Sequence, residues 1–145
     1  MTAALAHYAD RGVFRGFRAT PLRGRVGYEF FWLTTKPMRA FVDRRGVLSF
    51  PSLLPEAGKH IVTEMRALIV ERSSRAVPDH KRIDARRARV FGAVRNGDFS
   101  VAVEIRGSNQ QYAVGKALNL INEMFVALHE RHPDYLVEHF GISQE

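Results

Sequence analysis

The most regular pattern in the chain is an alternation of apolar and polar residues from position 88 to 106, interrupted at its centre by Asn96-Gly97. Asn-Gly between two alternating runs is the strongest short-range signal for a β-hairpin with a type I′ turn. A two-residue turn fixes the register, so the numbers of paired residues should add up to 193. One face is then uniformly apolar, and the other carries the opposite-charge pairs Arg89 with Glu104 and Arg95 with Asp98.

Apolar residues at helical spacing predict four helices. A short helix over 2–11 ends at Gly12, and an amphipathic helix covers 56–73. A long helix over 110–132 is capped by Ser108 or Asn109 and ended by Pro133, and a short helix over 135–140 follows a cap at Asp134. The long helix should bury one stripe: Val114, Ala117, Leu118, Ile121, Phe125 and Leu128. A neighbouring stripe is either solvent-facing or part of a dimer interface: Asn119, Asn122, Glu123 and Val126.

The first third of the chain should supply further strands. Residues 28–35 are apolar on both faces, which favours a strand near the middle of a sheet and covered on each side. Residues 38–43 and 47–50 predict two more strands joined by a tight turn. The segment 12–27 contains four glycines and Pro21, so we predict a loop or short irregular strands there.

This order of elements predicts an α+β fold, a two-layer sandwich of helices against an antiparallel sheet of about five strands. The 145 residues form one domain, in which residues 1–25 are an N-terminal helix followed by an arm rich in Arg and Gly.

Several kinds of chemistry find no support in the sequence. Cysteine is absent, no apolar run is long enough to span a membrane, and the start of the chain does not resemble a secretory signal, so we expect a cytoplasmic protein. No nucleophile elbow or phosphate-binding glycine loop occurs, and we expect neither an enzyme nor a cofactor. A group of possible metal ligands near the end of the long helix lacks a metalloprotease spacing, and we read it as solvated: His129, Glu130, His132, Glu138 and His139.

The formal net charge of +7 is unevenly distributed. Residues 1–50 hold nine bases against three acids, and residues 81–106 hold seven against three. The first basic site lies in residues 1–50, where aromatic and basic residues alternate around Phe14 and Arg18 and could contact bases and phosphates. The second basic site lies in residues 81–106, where arginines could contact phosphates. Arg87 and Arg106 should face each other across the hairpin, and this like-charge pair needs a counter-ion or an acidic partner. The candidate partner or phosphate contacts are Phe14, Arg15, Phe17, Arg18, Arg86, Arg87 and Arg106.

Both basic sites also have plainer readings. The phenylalanines of the first could pack on the domain while its arginines are solvated, and the second could be a charged strand edge that prevents aggregation. A GC-rich genome would also enrich arginine without any ligand.

The element order, with the ending Asn119-Leu120-Ile121-Asn122-Glu123 through Tyr135 to Gly141, resembles the YbjN-like and type III secretion chaperone-like fold. The resemblance lies in the topology over residues 2 to about 132. It implies a non-enzymatic, often homodimeric protein that binds another polypeptide. Secretion chaperones are usually acidic, whereas this chain is basic.

Two functional hypotheses follow. The first is a chaperone-like protein-interaction module, homodimeric and binding another protein. The alternative is a nucleic-acid-binding module that uses the arginines of residues 11–25 and 81–95, and its affinity should then fall steeply with salt concentration.

Overall fold

The computed structural model describes residues 1–142 and contains six strands and four helices over that range. The α+β class and the two-layer arrangement are confirmed. Four strands, rather than the three predicted, precede the middle helix. In chain order the elements are α1 Thr2–Asp10, β1 Arg15–Leu22, β2 Arg25–Phe31, β3 Met38–Asp43, β4 Val47–Leu54, α2 Gly58–Arg72, β5 Ala88–Arg95, β6 Asp98–Ile105, α3 Gln110–Arg131 and α4 Pro133–Phe140.

The strands form one antiparallel sheet in the order β1-β2-β3-β4-β6-β5. Strand β4 pairs with β6, so the later hairpin inserts its second strand beside β4. Strand β5 consequently lies at one edge of the sheet, and β1 lies at the other.

The predicted hairpin register is confirmed over its whole length. Eight consecutive pairs run from Ala88 with Ile105 to Arg95 with Asp98. Asn96 and Gly97 have φ values of 51° and 84°, the positive values that a type I′ turn requires.

The helices cover one face of the sheet. Every strand contributes its inward-facing apolar residues to a single core that also includes residues of α1, α2, α3 and α4. The prediction that residues 28–35 are covered on both faces is therefore wrong: Tyr28 and Phe30 are buried, whereas Glu29 and Phe31 lie on the uncovered face. The strand also ends at Phe31, because Leu33 has a positive φ of 68°.

The segment 12–27 is more regular than its glycines suggested. Strand β1 occupies eight of these residues, although Phe17 is the only one of the eight that is not exposed. Gly16 has a φ of 62° where the pairing with β2 is irregular, which indicates a β-bulge. The predicted arm rich in Arg and Gly is thus largely the edge strand of the sheet.

The last helix closes one end of the core. It begins at Pro133 with His132 as its N-cap, rather than after a cap at Asp134. The Tyr135 hydroxyl donates to the carbonyl of Pro55 at 2.6 Å, and the Thr35 hydroxyl donates to the carbonyl of Phe140 at 3.0 Å. Burial of Tyr135 raises the pKa of its hydroxyl. No helix within residues 1–142 has the length and apolar character needed to cross a membrane.

Candidate functional site

The aromatic residues of the first basic site are part of the core. The Phe14 ring is buried and lies 4.1 Å, centroid to centroid, from Phe30. The Phe17 ring is half-buried and stacks on Tyr28 at 6.0 Å. In this conformation the Phe14 ring is not exposed, and both phenylalanines pack on the domain, as in the plainer reading of this site.

The arginines of the first site differ from each other. Arg15 is exposed at the start of β1, whereas Arg18 makes an ion pair and hydrogen bond with Glu29 of the neighbouring strand. Arg39 approaches the other oxygen of Glu29 at 3.4 Å. The hydrogen bond from Arg18, with the charges of both arginines, lowers the pKa of the Glu29 carboxyl. Arg18 therefore has its counter-ion within the sheet.

Strand β5 presents the sheet's other edge, and its backbone has unused hydrogen-bonding groups. The amide of Arg106 donates to the carbonyl of Arg87 at 3.1 Å, so the odd-numbered residues of β5 direct their amides and carbonyls toward β6. The even-numbered residues must then direct theirs outward, where residues 1–142 place no further strand. We call this the free edge: the outward backbone groups of Val90, Gly92 and Val94.

The free edge belongs to a strand that pairs without interruption along its whole length. It contains neither proline nor a bulge. Gly92 is required by packing: a Cβ atom there would lie 2.5 Å from the Cζ atom of Phe99, whose ring is fully buried. The ring of Phe99 thus occupies the space that a side chain at position 92 would need.

The side chains of β5 on the uncovered face are Arg89, Phe91, Ala93 and Arg95. The register of the predicted pairs with β6 is correct, but within residues 1–142 neither arginine forms an ion pair. Glu104 lies 3.5 Å from Arg106 instead, and Asp98 accepts a hydrogen bond from the amide of Glu56 at 2.9 Å. The guanidinium of Arg89 lies 4.8 Å from the centre of the Phe91 ring.

Residues 73–87 connect α2 to β5 and form one wall of a cleft of about 680 Å³. We call it the arginine cleft; its lining includes Arg75, Arg82, Arg86, Arg87, Asp79, Asp84 and Tyr112.

Tyr112 of α3 holds this connection in place. Its hydroxyl accepts a hydrogen bond from the amide of Asp84 at 2.9 Å and donates to the carbonyl of Arg82 at 3.3 Å. Ile83 is buried, and its amide donates to the carbonyl of Arg72 at 2.8 Å. The wall is therefore anchored at several points although it has no helix or strand.

The predicted conflict between Arg87 and Arg106 does not arise, because the two side chains turn to different partners. Arg87 donates to the Oδ1 atom of Asn109 at 3.1 Å, and its guanidinium lies 3.6 Å from the centre of the Tyr112 ring. Arg106 lies 3.5 Å from Glu104, away from the cleft.

Arg86 is also partnered. Its Nε and Nη2 atoms donate to the two oxygens of Asp84 at 3.2 and 3.1 Å. This bidentate hydrogen bonding, with a hydrogen bond from the Arg86 amide, lowers the pKa of Asp84.

The histidines near the end of α3 are dispersed. His132 pairs with Glu64 of α2 at 2.8 Å, and His139 packs on the Tyr135 ring at 4.5 Å. Across residues 1–142, no three His, Cys, Asp or Glu side chains are grouped so that they could hold a metal ion. On the predicted stripe of α3, Glu123 forms an ion pair with Arg72, while Asn119, Asn122 and Val126 are exposed.

The sequence therefore identified Arg86 and Arg87 of the cleft and the charged residues of β5, but not the residues that hold them in place. Asn109 and Tyr112 contact residues more than 20 positions away, and no local pattern indicates such contacts. The free edge could have been found only from the strand order, because the hairpin alone does not reveal which of its strands lies outside.

The protein was compared with family models, with curated proteins and with solved structures, and none of them matches.

Proposed function

We propose that this protein is a non-enzymatic interaction module that binds an extended segment of another polypeptide as a seventh strand beside β5. The observation that carries the proposal is the free edge, whose outward amides and carbonyls have the spacing of a β-strand. In strand addition, backbone hydrogen bonds supply much of the affinity and alternate side chains supply the specificity.

The positive charge of β5 favours a partner segment with acidic side chains. Arg89 and Arg95 flank the free edge on the uncovered face, and β5 contains no acidic residue. A second copy of the chain is a poor occupant: antiparallel pairing centred on Gly92 would set Arg89 opposite Arg95 of the other copy, and parallel in-register pairing would align identical arginines. The occupant is therefore a different polypeptide, with acidic side chains at alternate positions of an extended segment.

The uncovered face offers apolar contacts to the same segment. Phe91 and Ala93 lie between the two arginines, and Arg89 lies over the Phe91 ring. Aromatic and arginine side chains are enriched in protein–protein interfaces. A partner with an apolar residue between two acidic ones would match this order.

Two further points support a polypeptide rather than a nucleic acid at this edge. Alternating backbone donors and acceptors complement a peptide chain, whereas a polynucleotide has no equivalent series of groups. The resemblance to YbjN-like and secretion chaperone-like proteins implies polypeptide binding as well. We expect the protein to bind this partner in the cytoplasm.

The test uses fluorescent eight-residue peptides of alternating Glu and Val, alternating Lys and Val, and the Glu-Val sequence with a central proline. Fluorescence anisotropy at physiological salt should show binding of the acidic peptide at least tenfold tighter than that of the basic or proline-containing peptide. Val94→Pro should weaken binding at least tenfold, because it removes an outward amide. Arg66→Gln, an exposed change on α2, is the charge control.

Amide hydrogen exchange locates the interaction. The bound acidic peptide should slow exchange at Val90, Gly92 and Val94 and leave β1 unchanged. Failure of the acidic peptide to bind, equal affinity for the acidic and basic peptides, or protection confined to β1 would each overturn the proposal. Single-stranded DNA that binds more tightly than the acidic peptide, and that no longer binds to Val94→Pro, would favour the nucleic-acid alternative.

A further inference from the structure

We propose that the arginine cleft binds a phosphate monoester, at a site separate from the free edge. The cleft brings together four arginines and two aspartates, and a hydroxyl donor from Ser73 also lines it. The proposal does not depend on the function assigned to β5.

The two aspartates are already neutralised by two of the arginines. Asp79 pairs with Arg82, and Asp84 pairs with Arg86. Within residues 1–142, Arg75 and Arg87 have no acidic partner, so the cleft keeps an excess of two positive charges. A phosphate monoester carries a charge of roughly −1.5 to −2 near neutral pH, which matches this excess.

Arg87 is held in position for such a ligand. Its Nε atom is occupied by Asn109, and one face of its guanidinium is packed on Tyr112. Its terminal nitrogens have no acceptor within residues 1–142. A planar guanidinium with two free terminal nitrogens is suited to bidentate contact with phosphate oxygens.

The walls of the cleft are already fixed before a ligand arrives. Tyr112 bonds to the backbone of Arg82 and Asp84, and Lys116 donates to the carbonyl of His80 at 2.8 Å. A preorganised wall reduces the entropy that binding must otherwise overcome.

The size of the cleft indicates that the phosphate is attached to a larger group. Its volume of about 680 Å³ lies within the usual range of roughly 300–1,000 Å³ for small-molecule sites and far exceeds one phosphate. The larger group could belong to a small metabolite or to a phosphorylated side chain, and the common chemistry is a dianionic phosphate monoester.

The experiment measures the dissociation constants of adenosine 5′-monophosphate and of a phosphoserine peptide by calorimetry on the full chain at fixed ionic strength. Adenosine and the unphosphorylated peptide are the matched controls for the two ligands. A thymidine oligonucleotide without terminal phosphate tests the diester alternative. Binding of either monoester, with no binding of its control, is the expected result, and which of the two binds identifies the source of the phosphate.

Variants connect the binding to the cleft. Arg75→Gln and Arg87→Gln should each weaken monoester binding at least tenfold, and Arg66→Gln on exposed α2 should leave it within about twofold. Within residues 1–142 the Arg75 side chain forms no hydrogen bond or ion pair, so its variant remains informative if Arg87→Gln perturbs folding. The proposal is overturned if neither monoester binds, if Arg75→Gln has no effect, or if the diester binds as tightly. Peptide binding at β5 should be unchanged in Arg75→Gln, which separates this test from the earlier one.

Discussion

The two edges of the sheet are built differently. Strand β1 has a bulge at Gly16, a proline at position 21 and an arginine, Arg18, whose charge is paired with Glu29. Strand β5 is regularly paired over eight residues, contains no proline and carries two arginines without ion pairs in the described part of the chain. Bulges and prolines prevent further strands from adding to an edge. Strand β1 is thus protected from further pairing by its backbone, whereas β5 is left open and carries unpaired positive charge.

The largest expected effect concerns what supports the protected edge. Phe14, immediately before β1, is buried against Phe30, so Phe14→Ala should cost about 3–5 kcal/mol of unfolding free energy. Phe91→Ala on β5 should cost about 1 kcal/mol or less, because that ring lies on the uncovered face. Urea titrations compare the two variants. Equal losses would show that Phe14 does not anchor β1.

A pair of proline substitutions tests which backbone groups of β5 are free. Ala93→Pro removes an amide that donates to the carbonyl of Ser100 in the pairing with β6. Because that carbonyl is left without a partner, the unfolding free energy should fall by on the order of 1–3 kcal/mol. Val94→Pro removes an outward amide and should cost clearly less. Thermal melting of the two neighbouring variants decides the point. A larger loss in Val94→Pro would mean that the inward and outward residues are interchanged.

The smallest expected effect is a pH dependence at the protected edge. Because the folded state lowers the pKa of Glu29, its carboxylate stabilises the protein above the ordinary carboxyl pKa, and this stabilisation disappears as the pH falls through the lowered value. Wild type should therefore exceed Glu29→Gln in melting temperature at pH 7, and the difference should shrink as the pH falls below the ordinary carboxyl range. A difference that stays constant over this range would contradict the pairing with Arg18.

The two edges also show what a sequence can reveal. The register of β5 with β6 was predictable because Asn96-Gly97 sets it locally. Strand β1 was not, because nearly all its residues are exposed and the usual alternation is absent. The glycines and Pro21 of residues 12–27 predict a loop or short irregular strands, whereas in the structure they belong to a bulge, a turn and a proline-containing edge strand.

The candidate sites follow the same rule. Arg86 and Arg87 of the cleft belong to a basic run just before β5, so they could be predicted from the sequence. Asn109 and Tyr112, which orient Arg87, come from a different element, and only the folded chain brings them together.

The insertion of β6 between β4 and β5 has a consequence for synthesis on the ribosome. Strand β4 is complete at Leu54, but β6, which pairs with its second edge, is complete only at Ile105. The ribosome must therefore add 51 more residues before β4 is paired on both sides. At roughly 5–20 residues per second, this interval lasts about 3–10 s. During that time β4 is an open edge of the partial sheet, which it is not once the hairpin of β5 and β6 is complete. Contacts with other nascent chains would therefore be formed at β4 rather than at the protected strand β1.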